Sequence, residues 1–167
     1  RAGVPYQIVG GTRFFERAEI RDVMAYVRAA HNPSDEIALK RIINTPKRGI
    51  GKSTVERLEY EAIALAISFD AVLHRAADGE WLGARPATAV KRFVAAVDSM
   101  RALLADGGSL RDLVEQIVER SGLVEALQAE RTIEAEGRIE NIREFFGVVE
   151  EFSATHEDAT LADFMEW

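Results

Sequence analysis

Ile42-Ile43-Asn44-Thr45-Pro46-Lys47-Arg48-Gly49-Ile50-Gly51-Lys52-Ser53-Thr54 decides how this chain reads. Apolar residues at helical spacing lead into Asn44. Pro46 and two glycines interrupt them, and helical spacing resumes at Lys52. The stretch therefore predicts helix, turn, helix. The second helix would present its unpaired N-terminal N–H groups to whatever stands before the turn. Such an end favours anions, phosphate above all. Arg41, Lys47, Arg48 and Lys52 crowd the same place.

The charge around this turn runs against the rest of the chain. Residues 40–57 hold six basic residues (Lys40, Arg41, Lys47, Arg48, Lys52, Arg57) and one acid, Glu56, a net of +5. The whole chain of 167 residues carries −7, so the remainder carries −12. One positive face on an acidic body suits a small, oriented phosphate contact and argues against wholesale wrapping by nucleic acid. The apolar fraction of 47% and charged fraction of 29% describe a globular domain with a real core. No apolar run approaches the roughly 18–20 residues of a membrane span, and no signal peptide is legible. With no cysteine, disulfides and thiolate metal sites are excluded.

Outward from the turn, the periodicity predicts an all-α domain of about eight helices. The first covers about 18–30, with Ile20, Val23, Met24 and Val27 inward and a stop at His31-Asn32-Pro33. Ser34 or Asp35 caps the next, with Ile37, Leu39, Ile42 and Ile43 on its apolar side. A helix from Lys52 follows, with Val55, Leu58, Ile63 and Leu65 as its stripe, then a short one over 69–77 with Asp70 or Ser68 near its start. Pro86 sits in the first turn of a long helix that buries Val90, Phe93, Val94, Val97 and Met100 and ends at Asp106-Gly107-Gly108. Ser109 with Asp112 opens the next as a loose capping box. After Ser121-Gly122 comes a short helix, then a long one capped by Thr132, and a last one near Thr160. At the other end, Val4 to Gly11 reads as a short strand ending in a glycine turn, and 12–15 reads as a loop. A lone strand needs a partner sheet, so the chain is expected to be a piece of a longer polypeptide.

Gly51-Lys52-Ser53 invites comparison with a nucleotide-binding P-loop. The first glycine of that pattern would fall on Pro46, and a helix rather than a strand precedes the turn, so the comparison fails. A helix–hairpin–helix-like element fits better. Gly49 and Gly51 would permit positive φ and close approach of a phosphate, and Ile50 would anchor the turn in the core. Lys47, Arg48, Lys52, Ser53 and Thr54 would supply charge and donors. Such contacts hold backbone phosphates without reading bases. Spacing alone leaves a second reading open, an ordinary interhelical turn with solvated lysines. Phe14-Phe15 can stack on bases or bury against helices, and burial is favoured because exposed paired aromatics promote aggregation. The carboxylates of residues 130–144 lack a Glu-x-x-His pair, and their spacing, as in Glu134 with Arg138, reads as a salt-bridged surface rather than a metal site. His31, His74 and His156 are scattered, and no catalytic constellation is legible.

Four segments in order carry a resemblance: Val4-Pro5-Tyr6-Gln7-Ile8-Val9-Gly10-Gly11, Phe14-Phe15-Glu16-Arg17-Ala18-Glu19-Ile20-Arg21-Asp22, Asn44 to Gly51, and Ala129-Glu130-Arg131-Thr132-Ile133-Glu134-Ala135 with Arg138-Ile139-Glu140-Asn141-Ile142. Together they resemble the UvrD/PcrA/Rep-type superfamily 1 DNA helicases, over almost the whole chain. The resemblance implies the helical 2B subdomain, residues 12–167, truncated at its C-terminal end. Residues 1–11 would be the last strand and hinge of the 2A motor domain. It implies that the turn (Lys47, Arg48, Gly49, Ile50, Gly51, Lys52, Ser53, Thr54) contacts duplex DNA through backbone phosphates. The parent would be an ATP-dependent 3′–5′ DNA helicase of repair or replication, using ATP and Mg, in the bacterial cytoplasm at the nucleoid.

The motor motifs are missing from this stretch, so no cofactor and no catalysis are expected of the chain alone. Its expected partners are double-stranded DNA and the parent's motor domains, with no membrane. The competing expectation is a protein-interaction module, in which the acidic helical surface serves self-association or a repair or transcription protein.

Overall fold

The computed structural model describes residues 11–79 and 81–167. Ten helices account for the regular structure of those residues: α1 Gly11–Glu16, α2 Ala18–His31, α3 Glu36–Ile42, α4 Lys52–Leu65, α5 Phe69–Asp78, α6 Ala84–Asp106, α7 Leu110–Ser121, α8 Leu123–Glu130, α9 Ile133–Thr155 and α10 Leu161–Glu166. The all-α expectation holds, and eight of the ten helices have at least seven residues. The expected strand over 4–11 lies almost wholly outside the described residues. The loop expected at 12–15 is instead helix α1.

Local chemistry fixes most helix starts. Asp35, Ser68, Ser109 and Thr132 each accept the N–H of the residue three positions on, at Ala38, Ala71, Asp112 and Ala135. Thr160 and Asp163 close a reciprocal capping box. Each such cap contributes about 1 kcal/mol. By contrast α4, α6 and α8 start on Gly51, Gly83 and Gly122, which have no side chain to cap with.

Helix α2 sits at the centre. Val23, Met24, Ala25, Tyr26 and Val27 are buried in succession, so the helix is covered almost all round. It packs against α1, α3, α6, α7, α9 and α10. Ala25, Ala29 and Ala30 are small enough to let those neighbours approach. The five inward residues expected on α6 are all buried. Phe14 is buried and Phe15 half-buried, edge-on to each other, with Phe15 edge-on to Phe145 of α9. The paired aromatics belong to the core.

Helix α4 hangs at the margin, packed on α5. Thr54, Leu58 and Ala62 face inward. Ile63 and Leu65, expected inward, are 81% and 41% exposed, and Ile37 of α3 is 84% exposed. Leu58 and Val55 of the expected stripe do pack inward, and the inward face runs through 54, 58 and 62, with Ile63 on the opposite side of the helix. The Glu134–Arg138 pair read from spacing does not form. Helix α9 pairs Arg143 with Glu140 instead, and Glu150 with Arg111 of α7.

A polar clasp joins α5 to α6 and α2. Arg101 donates to Asp70 at 2.8 Å and to the Ala29 carbonyl at 3.0 Å. His74 lies 2.8 Å from the Asp70 carbonyl through Nδ1 and 2.8 Å from the Asp98 carboxylate through Nε2. Both partners are acceptors, so the protonated ring, which donates from both nitrogens, satisfies them both. Burial pushes its pKa down. The Asp70 carbonyl and the Asp98 carboxylate outweigh that and hold it above the usual histidine range. The stabilisation is therefore full below the unfolded value of 6.5 and is lost as pH rises through the higher folded value. Denaturation midpoints of wild type and His74→Gln are expected to differ at acid pH and to converge on alkaline titration. A difference that does not change with pH would exclude the charged clasp.

Candidate functional site

Residues 43–51 link α3 to α4, and one side chain organises them. Asn44 Oδ1 accepts the N–H of Arg48 at 2.8 Å and of Ile50 at 3.2 Å, folding the turn back on itself. Ile50 is 1% exposed and anchors it in the core. The Thr45–Pro46 peptide is cis, and Pro46 lies against Gly122 at the α7–α8 junction.

Arg48 points inward. One guanidinium nitrogen donates to the Ile42 and Ile43 carbonyls at 2.5 and 2.8 Å, at the C-terminal end of α3. The other donates to Tyr26 Oη at 2.6 Å and the Ser121 carbonyl at 3.3 Å. The guanidinium also lies over the Phe93 ring, 5.0 Å from its centroid. Tyr26 passes the chain on by donating to the Thr45 carbonyl at 2.5 Å. Burial pushes the Tyr26 hydroxyl above the usual phenol range against the pull of Arg48. Four of the five guanidinium donors have internal acceptors, so Arg48 ties the turn to α2, α3, α6 and α7.

Three more of the six basic residues of this segment are also engaged. Lys40 pairs with Glu36 and Glu59, each at 2.5 Å. Arg41 pairs with Asp22 at 2.9 Å. Burial pushes the Asp22 carboxyl up and Arg41 pulls it back only in part. Arg57 donates to the Trp81 and Leu82 carbonyls and lies over the Trp81 ring. Lys47 and Lys52 remain, both exposed, with no ion pair or hydrogen bond of their ammonium groups among the described residues.

These two lysines flank an open backbone. Gly49 has φ +84°, a conformation that favours glycine, and a Cβ there or at Gly51 would meet nothing within 4 Å. Gly51 has φ −83°, so only Gly49 needs the positive φ expected of both. The N–H groups of Lys52, Ser53 and Thr54 have no capping side chain, and no acid stands in the first turn of α4. Ser53 is exposed beside them, whereas Thr54 is turned inward at 9% exposure. Lys47, Gly49, Gly51, Lys52 and Ser53 are thus all exposed along the turn and helix start, whereas Arg48 is half-buried and Ile50 and Thr54 are buried.

Reading the sequence missed Asn44 and Tyr26 as the holders of this turn. An Asn directly before a Pro-containing turn was the available signal for the first. Nothing local marks Tyr26, which lies 19 residues from Thr45. Among the described residues no group of three His, Cys, Asp or Glu side chains is placed to hold a metal ion. No described helix is long and apolar enough to cross a membrane.

Comparison with known proteins bears on the same chain. The model of the UvrD-like helicase C-terminal domain matches residues 1–167. The chain is 38% identical over 165 residues to the ATP-dependent DNA helicase PcrA of Bacillus subtilis (strain 168), covering 99% of this chain and 22% of that protein. It is 38% identical over 182 residues to the ATP-dependent DNA helicase UvrD1 of Mycobacterium tuberculosis (strain ATCC 25618 / H37Rv), covering 99% of this chain and 23% of that protein. A probable DNA helicase II homolog of Rickettsia conorii is 40% identical over 157 residues, covering 93% of this chain and 24% of that protein. The chain therefore spans about a quarter of the length of these relatives. A match over every residue and identities near 40% place it: the chain belongs to the UvrD-like helicase C-terminal domain family.

Proposed function

We propose that residues 12–167 form the 2B-type helical subdomain of an ATP-dependent DNA helicase, and that the turn at 43–51 holds duplex DNA by its backbone phosphates in the manner of a helix–hairpin–helix. Residues 1–11 would belong to the adjoining motor domain. The observation that carries the reading is the pairing of Lys47 and Lys52 with an uncapped helix end. Every other cation of the +5 segment has an internal partner, yet these two stand free beside bare backbone donors. A phosphate completes that arrangement electrostatically and through hydrogen bonds.

ATP and Mg, which the helicase relatives imply for the parent protein, do not fit here. Pro46 occupies the place of the P-loop's first glycine, α3 precedes the turn in place of a strand, and no metal-holding carboxylate group lies among the described residues. The chain's contribution to unwinding would be grip and regulation, with nucleotide chemistry elsewhere in the parent, in a repair or replication setting in the bacterial cytoplasm.

The test is duplex binding against salt. Each phosphate contact contributes roughly 0.9 to the slope of log K on log salt. The change Lys47→Ala with Lys52→Ala is expected to lower the slope by about two and to leave the fold intact. Expected binding is weak and independent of sequence. Duplex affinity that survives the double change with its slope unaltered would remove the turn as the contact.

A further inference from the structure

We infer that the trough between α7, α8 and the middle of α9 docks a basic segment of a partner protein, anchored by apolar side chains. Val118, Val124 and Phe146 line it together with Asp112, Glu115, Glu119 and Glu125, around a volume of about 440 Å³. No Lys, Arg or His is among the lining residues. Glu115 is paired with Arg111. Asp112, Glu119 and Glu125 have no ion-pair partner among the described residues.

The trough continues. Gln128 is shared with a second hollow of about 520 Å³ that includes Ile133, Ile139, Glu136 and Glu140. Ile133 is 83% exposed, a large apolar side chain on the wall of an acidic groove. Arg143, the one cation there, is paired with Glu140.

Charge decides the occupant. Carboxylates on the rim repel nucleic acid, so this surface is not a second DNA contact. An apolar floor with an acidic rim suits an amphipathic helix. Its apolar face would cover the half-buried Val124 and Phe146 and the exposed Ile133, above the buried Val118. Its Lys and Arg stems would run over the same surface and end at the carboxylates. The inference is independent of the duplex reading, because none of Lys47, Lys52 and their turn lines the trough.

The probe is a fluorescent synthetic peptide of leucines and lysines in amphipathic helical order, with a twin carrying glutamates for the lysines. The lysine peptide is expected to bind and the glutamate twin not to bind. Amide shifts should gather at Val118, Val124, Phe146 and Ile133. Glu119→Lys with Glu125→Lys is expected to weaken binding about tenfold. Glu157→Lys with Glu166→Lys makes the same charge change outside the trough and should keep affinity within about twofold. If the first pair unfolds the protein, Glu119→Gln with Glu125→Gln replaces it, with several-fold weakening expected. Equal weakening by both pairs, shifts scattered over the acidic surface, or no binding of the lysine peptide overturns the inference. So does a dimer of the chain that the lysine peptide dissociates, which would make a second copy the occupant.

Discussion

Arg48→Ala is expected to lower the free energy of unfolding by about 3 kcal/mol, on the order of 10 °C in Tm for a domain of this size. The change strands the Ile43 and Ser121 carbonyls, takes one of three donors from the Ile42 carbonyl and removes the donor to Tyr26 Oη. It also removes a cation from the face of Phe93. Arg48→Lys should recover little, because one ammonium cannot span acceptors on three elements as a planar fork does. The exposed Lys47 and Lys52 should behave oppositely when changed to Ala, with stability within about 0.5 kcal/mol of wild type and a reduced salt slope of duplex binding. Urea unfolding followed by circular dichroism reads the first quantity and duplex titration the second. An Arg48→Ala protein with wild-type Tm and one fewer phosphate contact in its slope would move the guanidinium from the interior to the DNA.

Phe145→Ala should cost about 4 kcal/mol. The ring is fully buried, 5.8 Å from Phe164 and 6.4 Å from Phe15, edge-on to both. It joins α9 to α1 and α10, so truncation opens a cavity where three elements meet. Edge-to-face contacts add roughly 0.5–1.5 kcal/mol each beyond burial. Because the turn at 43–51 is held by Asn44, Tyr26 and Arg48 and not by this cluster, the folded fraction should bind duplex as wild type does. Urea titration with duplex affinity per folded molecule separates the two effects. A loss below about 1 kcal/mol would show that the site collapses on truncation and that the aromatic cluster is not a structural joint.

Helix ends were legible because their causes are local. Asp35, Ser68, Ser109, Thr132 and Thr160 lie within three residues of the N–H groups they accept. The long stripe of α6 was legible for the same reason. Helix α1 was not: six residues make a marginal helix alone, and it stands because Phe14 and Phe15 pack into the core. The inward face of α4 was legible only in part: Leu58 and Val55 of the expected stripe pack inward, Ile63 and Leu65 do not, and Ala62 takes the inward place instead. Periodicity finds a stripe, and packing decides which of its residues face inward.

The candidate site divides along the same line. A reader of residues 40–57 sees a basic excess, a turn containing Gly49 and Gly51, and a helix that starts at Lys52 without a cap, because composition and backbone propensity are properties of the chain itself. Glu36 and Lys40, four apart, were also within reach of such a reading. The remaining assignments depend on partners far along the chain. Arg41 meets Asp22, Lys40 meets Glu59, Arg57 meets Leu82, and Arg48 meets Ser121, 73 residues away. A formal charge becomes an available charge only when no packed neighbour accepts its hydrogen bonds. Which helices become neighbours is decided by burial around α2. Among the described residues, six cations in the sequence thus leave two without a partner, Lys47 and Lys52, while Arg57 is exposed yet engaged, and the tertiary fold makes that selection.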